Sequence, residues 1–195
     1  MRKIKTEKDK QRESRRNMWL IGGVLILLMV FSTLGFAFNS KMDEGSSEKV
    51  DYNGIQSFKQ NDYWVFNLQG YDFITTYNHE ETKDIIFINS LIIQDYANQP
   101  LYLVGEQGLH FNEIGRNLDK RFVLRISYAC LNEEDCEGDL PIKDCKEDKM
   151  IVYQKPKDGE IETITQEDNC IFITANPENS AKYADVFLFD ILGIR

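Results

Sequence analysis

The sequence predicts a mixed α/β domain that follows a single membrane-spanning helix. Three observations lead to this prediction. An uncharged apolar run, residues 18–38, lies near the N-terminus. Further along, aromatic and β-branched segments flank an amphipathic helical segment, which is typical of a β-α-β unit. All four cysteines lie after residue 129 and indicate disulfide bonds in the same part of the chain.

The apolar run is long enough to cross a membrane. Residues 18–38, rising about 1.5 Å each as a helix, span roughly the 30 Å of a bilayer core. Residues 1–17 carry eight Lys or Arg and three Asp or Glu, a net charge of +5. Basic tails stay in the cytoplasm, so we expect the C-terminal part outside the cell membrane. The alternative, a cleaved signal peptide, would have a shorter apolar core ending in small residues rather than Phe36 and Phe38.

A flexible linker and one extracytoplasmic domain are predicted after the membrane helix. Residues 39–57 are polar and contain Gly and Ser, as flexible linkers do. Residues 58–195 have the length of one domain and enough large apolar residues to form a core. Residues 39–195 together carry a net charge of −14. We therefore expect no nucleic-acid partner, because this charge repels phosphates.

The domain is expected to begin with a β-hairpin. Asp62–Leu68 and Tyr71–Tyr77 are rich in strand-forming residues, and only Gln69-Gly70, a typical turn pair, separates them. The next segment is ambiguous. Residues 85–88 fit a strand, whereas from Asn89 onward the apolar residues fit one helix face. We predict a short helix here that ends before Pro100.

A β-α-β unit is predicted next. Leu101–Val104 and Phe122–Tyr128 are compact apolar segments typical of buried strands. Between them, Phe111, Ile114 and Leu118 recur at the spacing of one helix face. Such a unit pairs its two strands in parallel through a right-handed crossover.

Three further strands and a final helix complete the predicted domain. The strands are residues 150–153, 161–165 and 170–174. The helix is expected between an N-cap at Asn176 and a C-terminal exit at Gly193. We expect the strands to form one central mixed sheet on which the helices pack.

The cysteines are candidates for two disulfide bonds. They are Cys130, Cys136, Cys145 and Cys170. An even number outside the membrane favours disulfides, and no pair has the C-x2-C spacing of zinc or redox sites. Free or metal-bound thiols are the alternative. Of the three possible pairings we favour Cys130–Cys136, which would close a loop after a strand, with Cys145–Cys170, which would tie that loop to a neighbouring strand.

The best candidates for a ligand site are Gly105, Gly108, His110 and Glu113. The two glycines connect a buried strand to a helix, where ligands of α/β sheets bind. His110 and Glu113 are three residues apart on that helix, so both could ligate one ion, although zinc would need a further ligand. The glycines match no nucleotide-binding motif. We therefore expect an ordinary turn here, without a cofactor or a metal.

The sequence contains no recognisable catalytic set, which argues against an enzyme. It predicts a single-pass membrane protein of the cell envelope, in contact with the lipid bilayer. Its outer domain is predicted to be an interaction module for an envelope protein or a surface polymer. The expected interface is the loop between Cys130 and Cys145. The alternative is a membrane-tethered enzyme, or a protein that binds a small ligand or metal near residues 105–113.

Overall fold

The structure is a computed structural model that describes residues 19–30, 48–134, 136 and 138–194. Residues 19–30 are helical and are labelled α1. The predicted tail, the rest of the predicted membrane segment and the linker up to residue 47 lie outside the described residues. None of the helices in the described ranges is long and apolar enough to cross a membrane.

Residues Glu48–Arg195 form one compact unit of mixed α/β class, as predicted. The first of its two sheets contains β1 (Lys49–Tyr52), β2 (Ile55–Gln60), β3 (Tyr63–Leu68) and β4 (Tyr71–Thr75). The second contains β5 (Pro100–Val104), β6 (Arg125–Tyr128), β7 (Lys149–Gln154), β8 (Thr163–Glu167) and β9 (Cys170–Thr174). The helices are α2 (His79–Thr82), α3 (Leu109–Leu118) and α4 (Ser180–Ile191), and Ile93–Tyr96 form a 3₁₀ turn.

The first sheet is an antiparallel meander in the order β1-β2-β3-β4. It contains the predicted hairpin, whose turn residues Gln69 and Gly70 have φ angles of 53° and 85°. Two positive φ angles are what a two-residue hairpin turn needs. Strand β1 and the start of β2 lie inside the segment predicted as linker. The folded unit therefore begins at Glu48, about ten residues earlier than expected.

The second sheet has the order β6-β5-β7-β9-β8 and is parallel except for the edge strand β8. It contains the predicted β5-α3-β6 unit. The expectation of one central sheet is wrong, because a helix lies where a further strand would pair with β4. The side-chain amide of Asn117 on α3 bonds both the N–H and the C=O of Ile74, at 2.8 Å each. This side chain takes the place of a neighbouring strand.

The segment between the sheets is mostly irregular. Residues 86–92 form neither the possible strand nor the start of the predicted short helix. Of that helix only Ile93–Tyr96 are helical, as a 3₁₀ turn. The reason is local. The side chain of Asn89 bonds both the N–H and the C=O of Leu91, and such bonds compete with a helix.

Helix α4 starts three residues later than predicted. Its N-cap is Asn179 rather than Asn176. Both asparagines bond the carboxylate of Glu162, which directly precedes β8, so a contact outside the helix determines where it begins. The exit is as predicted, because Gly193 has a φ of 69° and its N–H bonds the carbonyl of Asp190.

Helix α4 contributes to both major packing layers of the unit. One side packs with α3 against the second sheet, where Ile151 and Phe187 belong to the same core. The other side meets the first sheet through Phe189, which lies 5.8 Å from the ring of Phe66. Because both sides are covered, α4 is buried all round rather than along one stripe.

The opposite face of the second sheet is covered by the loop that follows β6. Two disulfides hold this loop, Cys130–Cys136 and Cys145–Cys170, in the favoured pairing. Cys170 lies on β9 and is fully buried, so the second bridge ties the loop to the strand next to the central strand β7. The second sheet is therefore enclosed by helices on one face and by a disulfide-linked loop on the other.

Candidate functional site

The carboxyl ends of β5 and β7 form the best candidate site. These strands are parallel neighbours, but the chain leaves them in opposite directions. Strand β5 leads through α3 to β6 on one side, and β7 leads to β8 and β9 on the other. Ligands of open α/β sheets bind outside the carboxyl ends of strands that diverge in this way.

Gly105 directs the chain at the end of β5. Its φ of 115° lies in the region that favours glycine. A Cβ atom at this position would lie 2.2 Å from the carbonyl oxygen of Tyr153, so the chain passes directly against β7. Two cavities flank this contact, and both are lined by Glu106 and Tyr153.

The first cavity, which we term the disulfide-side cavity, has a volume of about 500 Å³. It lies between the ends of β5, β6 and β7 and the loop closed by the Cys130–Cys136 bridge. The apolar part of its lining includes Val104, Leu131, Leu140 and Val152. The other lining residues include Glu106, Tyr128, Asn132 and Gln154, although the ring of Tyr128 lies 6.0 Å from that of Phe111 on α3. This cavity combines apolar and polar surface, and small-molecule sites commonly combine the two.

Two of these polar groups are held by neighbours. The carboxylate of Glu106 forms an ion pair with Lys155, with 2.7 Å between Oε2 and Nζ. The amide of Gln154 donates to Thr174 Oγ1 at 2.8 Å. The ion pair balances the charge of Glu106, so the polar lining of the cavity has little net charge.

The second cavity, which we term the helix-side cavity, has a volume of about 480 Å³ and lies beside the N-terminal ends of α3 and α4. His110 lines it but is almost completely buried. Its ring stacks on Tyr153 at 3.7 Å, and Nε2 bonds the carbonyl oxygen of Glu106 at 3.1 Å. Burial lowers the pKa of His110 to about 4, so the ring is neutral at pH 7 and Nε2 is the donor of this bond.

Gly108 has a steric role beside this histidine. A Cβ atom at this position would lie 2.6 Å from Cε1 of His110. The glycine therefore makes room for the imidazole and does not leave an open space for a phosphate. Ser180 lines the same cavity, but its Oγ donates to the carbonyl of Pro177 at 2.8 Å. Ser180 and His110 are thus not arranged as a nucleophile and its base.

Glu113 lies in a different environment from the other three candidate residues. It is buried and pairs with Arg116, and Thr76 Oγ1 donates to it at 2.5 Å. It is not among the residues that line either cavity. The structure therefore brings Gly108 and His110 together near Gly105, whereas Glu113 belongs to the junction between α3 and the first sheet.

The same junction contains a carboxyl group that the sequence analysis missed. Asp185 on α4 is fully buried, and its Oδ2 accepts the N–H groups of Thr76 and Tyr77 at 3.1 and 2.9 Å. Burial, and then the negative charge of Glu113, hold the pKa of Asp185 well above its ordinary value. The signal available in the sequence was an acidic residue inside an apolar helix, which is rare unless it has a partner.

The arrangement favours binding through hydrogen bonds and apolar contacts. Within the described ranges, no three His, Cys, Asp or Glu side chains are grouped so that they could hold a metal ion. The sequence pointed to the strand-to-helix connection after β5. It did not predict that the loop between Cys130 and Leu140 would form a cavity wall beside it, because that contact depends on the folded position of the loop.

The chain was compared with known proteins at three levels. It matches no protein-family model. No curated protein and no solved structure shows significant similarity to it.

Proposed function

We propose that this chain is a membrane-anchored protein whose extracytoplasmic domain binds an envelope partner, a protein or a surface polymer, without catalysing a reaction. The observation that carries the proposal is the disulfide-side cavity. It combines a switch point of the sheet with a loop held by a disulfide, and loops on rigid scaffolds commonly carry binding residues.

The location is supported by two independent features. Residues 19–30 are helical and expose apolar side chains, among them Leu25 and Met29, which are 58% and 73% exposed. Contiguous exposed apolar surface of this kind is typical of segments that contact lipid or protein. The two disulfides are typical of proteins in an oxidising compartment outside the cytoplasm.

A photo-crosslinking experiment in intact cells tests the proposal. A photoreactive amino acid is placed at Leu140, which lines the cavity and is 41% exposed. The matched control is Ile161, which is 80% exposed and is not among the lining residues. We expect a discrete or polymer-sized adduct from position 140 that is absent from position 161. Equal adducts from both positions, or none from position 140, would refute the proposed interface.

The alternative function is a small-ligand site, or an enzyme site, near residues 105–113. The observation in its favour is the helix-side cavity, which places His110 beside two helix N-termini. Against it, the ring is packed between Gly108 and Tyr153, and Glu113 lies elsewhere. We therefore place the binding surface at the disulfide-side cavity.

A further inference from the structure

The two edges of the first sheet differ in how they are covered. At the β4 edge, Asn117 on α3 bonds the main chain of Ile74, and the guanidinium of Arg121 donates to the carbonyl of Asp72 at 2.5 Å. At the other edge, β1 pairs with β2 alone among the strands that the structure describes. A strand at such an edge offers its main-chain groups to a strand of another molecule.

The pairing of β1 with β2 determines which groups face this edge. Residues of an antiparallel strand alternate between those whose N–H and C=O bond the neighbouring strand and those whose groups point away from it. The N–H of Lys59 donates to the carbonyl of Glu48 at 2.9 Å, so Glu48 is of the first kind, as is every second residue after it. The N–H and C=O groups of Lys49 and Asp51 therefore point away from β2.

Lys49 and Asp51 also present opposite charges on one face of the sheet. Both residues are exposed, and they are two positions apart, so their side chains share a face. The ammonium of Lys49 lies 5.3 Å from the centre of the Phe58 ring, and Asp51 Oδ1 accepts the N–H of Gly54 at 3.3 Å. Neither contact neutralises the charge, and a carboxylate keeps accepting capacity beside one hydrogen bond.

A second copy of β1 matches this pattern in one register. Two antiparallel copies bond each other only through residues whose main-chain groups point outward, so Lys49 lies opposite Lys49, Asp51 opposite Asp51, or Lys49 opposite Asp51. The first two registers place like charges opposite each other, which destabilises a sheet. The third forms two Lys–Asp pairs around a two-fold axis at Val50, and the residues of each pair exchange both main-chain hydrogen bonds.

We propose that the chain forms a two-fold symmetric dimer by antiparallel pairing of β1 with β1 of a second copy, in which Lys49 of each chain faces Asp51 of the other. The two four-stranded sheets then continue as one. A closed two-fold contact occupies this edge in both copies, so further strands cannot add to it. This inference goes beyond the proposed function and does not depend on the disulfide-side cavity.

Disulfide trapping in the full chain in detergent tests the pairing. In the proposed dimer the two Val50 residues meet at the axis with Cα atoms about 4.5 Å apart, a distance that a disulfide spans. We expect Val50→Cys to give a dimer on a non-reducing gel that is lost on reduction. All four native cysteines are already paired. The matched control is Ser57→Cys, because Ser57 pairs with Val50 but lies one strand further from the axis, and it should stay monomeric on the gel.

Charge exchange tests the register. The dissociation constant of the dimer is measured by sedimentation equilibrium in density-matched detergent. Lys49→Asp and Asp51→Lys should each raise it about tenfold or more, because each turns two attractive pairs into repulsive ones. The double variant restores opposite charges across the axis and should recover most of the affinity. Since both side chains are exposed, all three variants should keep the circular dichroism spectrum of the wild type.

Four results would overturn the proposal. The wild-type chain could stay monomeric at every concentration, or Ser57→Cys could be trapped as efficiently as Val50→Cys. The double variant could dimerise no better than the single variants. A dimer that neither charge reversal weakens would also contradict it, because another surface would then join the two copies.

Discussion

The contact between Asn117 and Ile74 provides a sharp test of why the unit has two sheets. We expect Asn117→Leu, which keeps the size of the side chain, to separate α3 from the edge of β4. The amide makes two bonds to the main chain of Ile74 and a third to the carbonyl of Glu113, at 2.8–2.9 Å. The variant removes all three bonds and leaves both main-chain groups of Ile74 without this partner.

The expected loss follows from these groups. Leaving a buried donor or acceptor unpaired costs about 1–3 kcal/mol, and two groups at a half-buried edge therefore predict a loss of about 2–4 kcal/mol. That is a large part of the usual 5–15 kcal/mol of a folded domain. The loss should appear mainly in the first sheet, which contains Trp64.

The assay is urea unfolding of the full chain in detergent, followed by the fluorescence of Trp64 in a Trp19→Phe background. The matched control is Asn67→Leu, which removes an asparagine that bonds Asp72 and Gly70 at an exposed hairpin end. We expect a much smaller loss there, because water can replace these bonds. If Asn117→Leu lowers the free energy of unfolding no more than the control does, the amide does not substitute for a strand.

Three other predictions concern the folded unit. Burial raises the pKa of Asp185, so the native state binds more protons than the unfolded chain and the free energy of unfolding falls as pH rises above about 4. In urea unfolding at a series of pH values, Asp185→Asn should become more stable relative to the wild type as pH rises, and parallel pH profiles of the two proteins would contradict this. Gly105→Ala should lower the free energy of unfolding by about 2–6 kcal/mol, because it combines a positive φ with a clash against Tyr153, and a thermal melt near that of the wild type would refute the close approach. Replacing Cys145 and Cys170 by serine should cost about 3–4 kcal/mol in urea unfolding through the entropy of the opened loop, and an unchanged midpoint would show that the bridge does not constrain the unfolded chain.

Sequence reasoning worked best where local rules dominate. The hairpin turn at Gln69-Gly70, the amphipathic helix α3 and the exit of α4 at Gly193 all follow from backbone preferences or from periodicity. The same rules also contained a signal that was not used. Asn53-Gly54 joins β1 to β2 and is itself a strong hairpin turn pair, although it lies in a segment that is polar overall.

The errors came from contacts between distant residues. Helix α4 begins after Asn179 because Glu162, from the segment before β8, accepts hydrogen bonds from Asn176 and Asn179. His110 and Glu113, which were candidates for one site, lie in different environments for the same reason. The two side chains are close in sequence, but one packs against β7 and the other against the first sheet. Spacing along a helix shows which residues are neighbours, and it does not show what each one faces.

The sequence by itself determined the mixed α/β class and the β-α-β unit, because periodicity and turn residues act over short stretches of chain. It allowed three disulfide pairings, of which the favoured one is present in the structure. The tertiary structure alone decided that the strands divide into two sheets and that Asp185 is buried at their junction. It also decided that the loop of Cys130–Cys136 forms a cavity with the ends of β5 and β7. Each of these features requires contacts between residues 40 or more positions apart, or the placement of a whole loop. The free energy that favours such contacts comes from packing in the folded chain.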